Sequence, residues 1–141
     1  MGKQELENLV KIEKLKREAA MRKEFDGMVS SASRGLTDAE NEGIETDSQF
    51  DLAVEAAHKF ALAALRNRGY RSNDRVTVYQ TLVHTLGTSN ADLQIFLRAH
   101  NERNLASYEG RLGIDEKLLK SLVDATKRLE AAVKKLTPPA K

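Results

Sequence analysis

The chain predicts an all-α fold, an antiparallel up-and-down bundle of four long helices with one or two short ones. Three observations predict it. Leu118, Leu122, Ala125, Leu129, Ala132 and Leu136 recur at spacings of four and three, which is the seam of a bundle helix. Residues 48–68 carry a wide Ala-rich apolar face that lets neighbouring helices approach closely. Aromatic residues make up only 5% of the chain, with no Trp, and apolar and polar residues nowhere alternate at strand period.

The elements follow in order. Residues 4–17, "QELENLVKIEKLKR", favour helix but are only partly patterned by Leu6, Leu9, Val10 and Leu15. Residues 1–17 are therefore expected to be a packed arm or short first helix, with Lys11, Lys14, Lys16 and Arg17 on solvated surface. Their apolar face is thin for a membrane-surface helix. Within 18–42, Met21, Phe25, Met28, Ala32, Leu36 and Ala39 form a helical stripe, weakened by Gly27 and Gly35. Gly43 ends that helix, and Thr46-x-x-Gln49 matches a capping box opening the next.

Residues 48–68 form the strongest helix. Phe50, Ala53, Val54, Ala57, Ala61, Ala64 and Leu65 make one apolar face, widened by Leu52, Ala56, Phe60 and Ala63. Such a helix belongs at the centre, with a narrow polar strip of Asp51, Glu55, His58, Lys59 and Arg66. Gly69 supplies its stop. Residues 75–86 space Val76, Tyr79, Leu82, Val83 and Leu86 as one helix, ended by Gly87. "TSN" offers an N-cap for a helix over 91–108, Gly110 and Gly113 bracket a turn, and Asp115 caps the last helix. The bundle spans 18–136, and 137–141 read as a frayed tail.

Composition narrows the function classes. At 141 residues the chain suits one domain, and 31% charged with 40% hydrophobic residues is a globular balance. With no Cys there are no disulfides, Cys-ligated zinc sites or Cys nucleophiles, which fits a reducing compartment. No run reaches the ~18 apolar residues of a membrane span, and "MGKQELENLV" lacks the core of a signal peptide. A cytoplasmic protein is expected. The net charge of +2 does not by itself predict nucleic-acid binding. Its distribution says more: Arg66, Arg68, Arg71 and Arg75 surround Tyr70. That basic turn has two readings, a phosphate-holding patch or a solvated helix end with arginines near the C-terminal dipole.

One stretch departs from core patterning. In "RAHNERNLASYEG" (98–110), His100, Asn104 and Tyr108 continue the stripe of Leu93 and Leu97. At about 100° per residue they drift about 40° per step, with Arg103 about 60° from His100 on its flank. A guanidinium is not buried unpaired. Either Arg103 pairs with a carboxylate on another helix while Asn104 bonds a backbone group, or the stripe faces a cleft where Arg103 grips phosphate. His58 and His84 are expected as hydrogen-bonded residues at the core edge. The three His lie on three helices without ligand spacing, so zinc is not expected; no cofactor is expected either.

"H-x-x-R-N-L-A-S-Y-E-G", together with "FDLAVEAAHKFALAALRNRGYRS" and "QTLVHTLG", resembles the HEPN families over roughly residues 18–136. These are α-helical bundle domains of prokaryotic toxin–antitoxin and defence systems. The resemblance implies a bacterial homodimer, a dimer cleft that handles RNA without metal, and a minimal nucleotidyltransferase as partner. In catalytic members an Arg is followed four to six residues later by His. Arg103 matches the Arg, and Asn104 the polar residue after it. Tyr108 stands where the His would be, and no His follows. A phenol of pKa about 10 is ionised only about 0.1% at pH 7, so Tyr108 suits phosphate binding better than proton transfer. The expected site is therefore Arg103, Asn104 and Tyr108, with Arg68 and Arg71 as further phosphate contacts. Should the protein cleave RNA, His100, one turn before Arg103, is the available acid–base group.

Overall fold

The computed structural model describes residues 2–109 and 114–141, with 107–109 described by their backbone alone. The elements run α1 (Lys3–Lys11), β1 (Lys16–Arg17), α2 (Arg22–Ala39), α3 (Thr46–Asn67), β2 (Tyr70–Arg71), α4 (Arg75–Gln80), α5 (Leu82–Thr85), α6 (Asn90–Glu109) and α7 (Glu116–Lys134). The chain is mostly helical, as its patterning predicts.

The Ala-rich helix α3 is central. Its buried residues include Phe50, Ala53, Val54, Ala57, Phe60, Ala61, Ala64 and Leu65. Small side chains on several sides let α2, α4, α6 and α7 all pack against it. On α7 the seam holds through Leu118, Leu122, Ala125 and Leu129 and then turns to Val133. Ala132 and Leu136, expected on the seam, are only partly buried. A straight helix of 3.6 residues per turn drifts by about 20° per heptad against a seven-residue repeat, which shifts the buried line by about half a residue over this length.

Several boundaries differ from expectation. The stripe of Phe25, Ala32, Leu36 and Ala39 is buried on α2, but the helix starts at Arg22, not 18, and Met21 before it is exposed. The intervening residues have another use: the Glu18 amide donates to the Gly69 carbonyl at 2.9 Å beside a two-stranded antiparallel pairing of Lys16 with Arg71 and Arg17 with Tyr70. Strands of two residues are too short to show alternation in sequence. Residues 75–86 split into α4 and α5 at Thr81, whose buried hydroxyl donates back to the Val78 carbonyl at 2.7 Å.

The capping box at Thr46 does not form. Glu45 occupies the N-cap without a side-chain bond, and Gln49 donates instead to the Ala39 carbonyl at 3.0 Å, tying the end of α2 to α3. Other caps are present as expected. Ser89 accepts the Asp92 amide, Asp115 accepts the Lys117 amide, and Gly69 ends α3 at φ 88°. The turn expected at Gly110 and Gly113 lies outside the described residues.

Leu6 and Leu15 are buried in the same core as the long helices, and each contributes about 2 kcal/mol to docking the arm. Polar contacts finish the attachment: Tyr70 donates its hydroxyl to Glu7 at 2.5 Å, and Arg17 also donates to Glu7. At the other end, the Lys141 carbonyl accepts the Arg22 amide. Among the described residues no helix is long and apolar enough to cross a membrane.

Candidate functional site

The arginines divide into two groups. The first surrounds the turn after α3. Arg66, expected on the polar strip, is only 2% exposed. Its Nε donates to Glu24 at 2.8 Å, Nη1 to the carbonyls of Glu18 and Tyr70, and Nη2 to the Ala19 carbonyl at 2.8 Å. A long apolar stem lets the head reach the loop between β1 and α2, whose carbonyls have no ladder partner there. Arg71 lies alongside, donating to Glu18 at 2.6 Å and to Glu24 at 2.7 Å. Burial of Arg66 corrects its placement on a solvated helix end. Arg68 donates to the His84 carbonyl at 3.3 Å.

The second group lies where α3, α4 and α6 meet. Arg103 of α6 donates Nη1 to Glu55 Oε1 of α3 at 2.5 Å, and its Nε lies 3.6 Å from Asp51. Arg75, the first residue of α4, donates Nη2 to Glu55 Oε2 at 3.4 Å. Its Nη1 lies 3.0 Å from Glu55 Oε1, but its proton finds no aligned acceptor among the described residues. Two guanidiniums thus converge on one carboxylate. Each guanidinium is about a third exposed, and Asp51 is more open still, at 61%.

Rings complete the cluster. Tyr79 of α4, almost fully buried, stacks on Phe96 with centroids 5.6 Å apart. His58 of α3 meets it edge-on at 6.1 Å and His100 of α6 at 6.3 Å. Asn104 Nδ2 lies 3.2 Å from His100 Nε2. Among the described residues Asn104 bonds this ring and not a backbone group. The Tyr79 hydroxyl donates to the Val54 carbonyl at 3.3 Å.

Charge at the cluster follows from this packing. Burial raises the Glu55 carboxyl, but hydrogen bonds from Arg75 and Arg103 outweigh it, and the group ends below the usual carboxylate range. Burial, reinforced by Arg75, pushes His58 down from 6.5 to about 4. His100 is lowered by burial and then by Arg75 and Arg103. Both imidazoles are therefore neutral at pH 7, and each neutral ring offers one donor and one acceptor nitrogen.

Of the residues expected to form the site, Arg103, Asn104 and His100 are brought together. The Tyr108 side chain lies outside the described residues. Arg68 and Arg71 are engaged around the turn, and no described contact joins them to Arg103. Patterning missed Glu55, Asp51, Arg75, His58 and Tyr79 as companions of Arg103. A signal existed: Asp51, Glu55 and His58 recur at spacings of four and three on α3, a polar stripe matching His100, Arg103 and Asn104 on α6. Among the described residues no cluster of His, Asp or Glu could hold a metal ion. No family model, curated protein or solved structure matches this chain.

Proposed function

We propose that the chain is an HEPN-like helical protein that binds RNA or nucleotide phosphate at the Arg75–Arg103 cluster. The observation that carries this is the convergence of two partly exposed guanidiniums on a single carboxylate oxygen. Ten N–H donors gather around one glutamate and a more distant aspartate, and planar forks of this kind match phosphate oxygens. Glu55 holds the forks in place, while Asn104 and His100 add neutral polar groups beside them. Tyr108 is assigned to the same site by the resemblance. Arg68 and Arg71 belong to the proposal as outer contacts along a longer RNA strand.

Fluorescence anisotropy with a labelled single-stranded RNA, titrated against salt, tests the assignment. Arg103→Ala is expected to weaken binding about tenfold, the worth of one charge-assisted hydrogen bond, and to flatten the salt slope. Unchanged affinity and slope would remove Arg103 from the site.

A second function has one observation in its favour. His100 is a neutral imidazole beside Arg103, held near Asn104 at 3.2 Å. Such a ring can accept the proton of a ribose 2′-hydroxyl, giving weak metal-independent RNA cleavage. Cleavage lost in His100→Ala but kept in wild type would establish it. The proposal extends to a homodimer of antiparallel up-and-down bundles in a toxin–antitoxin or defence module of the bacterial cytoplasm, with a nucleotidyltransferase partner. That part rests on the resemblance, and sedimentation and co-purification check it. If a stoichiometric protein partner co-purifies and no RNA binds, the chain is a non-catalytic interaction protein.

A further inference from the structure

We infer that two copies of this chain meet at the end of α1, which gives the homodimer proposed above its surface and rests on that part of the reading. Ile12 is the most exposed large apolar side chain among the described residues, at 64%. With Leu9 and Lys14 it lines one side of a groove of about 460 Å³, and Val76 and Gln80 of α4 and His84 of α5 line the other. A projecting aliphatic side chain thus stands beside a groove with room for another like it. Knob and hole on one patch are what a two-fold interface requires, because each copy offers both.

Charge says what covers the patch. Helix α1 ends in a Schellman turn, in which the Glu13 amide donates to the Val10 carbonyl at 3.0 Å and the Lys14 amide to the Leu9 carbonyl at 2.9 Å. Glu13 takes the left-handed position of that turn, at φ 63°, where glycine is usual. Glu13 and Lys14 are both exposed, and neither has an ion-pair partner among the described residues. Lys11 is likewise exposed and unpaired there. Asp74, which also lines the groove, is occupied as the cap of α4: it accepts the Val76 amide at 3.3 Å and the Thr77 hydroxyl at 2.7 Å. Lys16 next along acts on Glu18. Lys11 and Lys14 therefore balance Glu13 and Asp74, and the patch has no net charge to hold two copies apart or to favour a strongly acidic or basic partner. Under a two-fold axis Glu13 of one copy meets Lys14 of the other, twice, and each Ile12 enters the groove of the opposite copy.

Sedimentation velocity of the full chain over roughly 1–100 μM follows its self-association. Ile12→Asp is expected to weaken the dimer about tenfold. The side chain is exposed, so the fold is kept, which far-UV circular dichroism checks. The charges give the sharper readout. Glu13→Lys sets lysine against lysine and Lys14→Glu sets acid against acid, so each alone should weaken the dimer several-fold. Combining the two in one chain should restore it. Mixing the two single variants should restore it too, because each then offers what the other lacks, and no role within one copy produces recovery on mixing. A dimer indifferent to Ile12→Asp and to both charge reversals overturns the inference and leaves the homodimer standing on another face. Weakening in the single variants without recovery in the mixture overturns it as well. A chain that stays monomeric throughout, whether or not a foreign protein co-purifies with it, overturns the inference and the homodimer together. The phosphate site is judged separately by Arg103→Ala.

Discussion

Two pairs of arginines share glutamates in this fold, and their donors are satisfied to different degrees. Around the turn after α3, Arg66 is enclosed and its three nitrogens all have acceptors, two of them backbone carbonyls of the neighbouring loop. Between α3, α4 and α6, Arg75 and Arg103 stay a third exposed and crowd one carboxylate. The difference lies in how fully the donors are used. A guanidinium whose forks are filled by its own chain is part of the scaffold. One whose protons outnumber the acceptors around it has capacity for a guest.

The contrast breaks first at Arg66. Arg66→Met keeps the stem but leaves the Glu18, Ala19 and Tyr70 carbonyls without their donor, and should cost about 3 kcal/mol in urea unfolding. Arg103→Ala, by contrast, should change stability by less than about 1 kcal/mol, because the ion pair it removes is partly solvated. Equal losses in the two variants would erase the distinction.

The next largest effect is a pH dependence carried by His58, which faces Arg75, Glu55, His100 and Arg103. The unfolded ring takes a proton below 6.5, and the folded ring does so only near 4. In that window the unfolded state binds more protons, so stability is fully present above pH 6.5 and falls as pH drops toward 4. The loss is on the order of 2 kcal/mol, reduced from the unscreened value because the ring is partly open to solvent. Urea midpoints at pH 7.5 and 5 should differ less in His58→Gln than in wild type. An identical difference in both would assign the acid sensitivity elsewhere.

The smallest effect sharpens the scaffold side. Tyr70→Phe removes the hydroxyl that donates to Glu7 and should lower stability by about 1 kcal/mol while leaving the RNA affinity proposed for the Arg75–Arg103 cluster unchanged. Loss of RNA binding there would show that the two regions are not separate.

Much of the architecture can be read from patterning because helices bury one face. The stripes of α2, α3 and α7 state which side chains are enclosed, and Gly69 and Asp115 mark ends that local geometry enforces. The two-residue strands are invisible to any period, since their pairing depends on a contact between Glu18 and Gly69 far apart in sequence. The same holds for arginines. Arg66 and Arg75 sit in one basic turn and look alike, yet helix rotation sends the first into the interior and the second to a shared carboxylate. The polar stripes on α3 and α6 are visible but are not matched to each other by patterning, because which carboxylate serves which arginine is a property of how the helices cross.

The guanidinium of Arg66 also bears on the order of assembly. It bridges positions 48 and 47 residues earlier in the chain, and it can do so only after α3 has formed and turned its end toward the arm. The N-terminal segment should accordingly dock after α3. Pulse-labelled amide exchange during refolding is expected to protect the interior of α3 before the amide of Glu18.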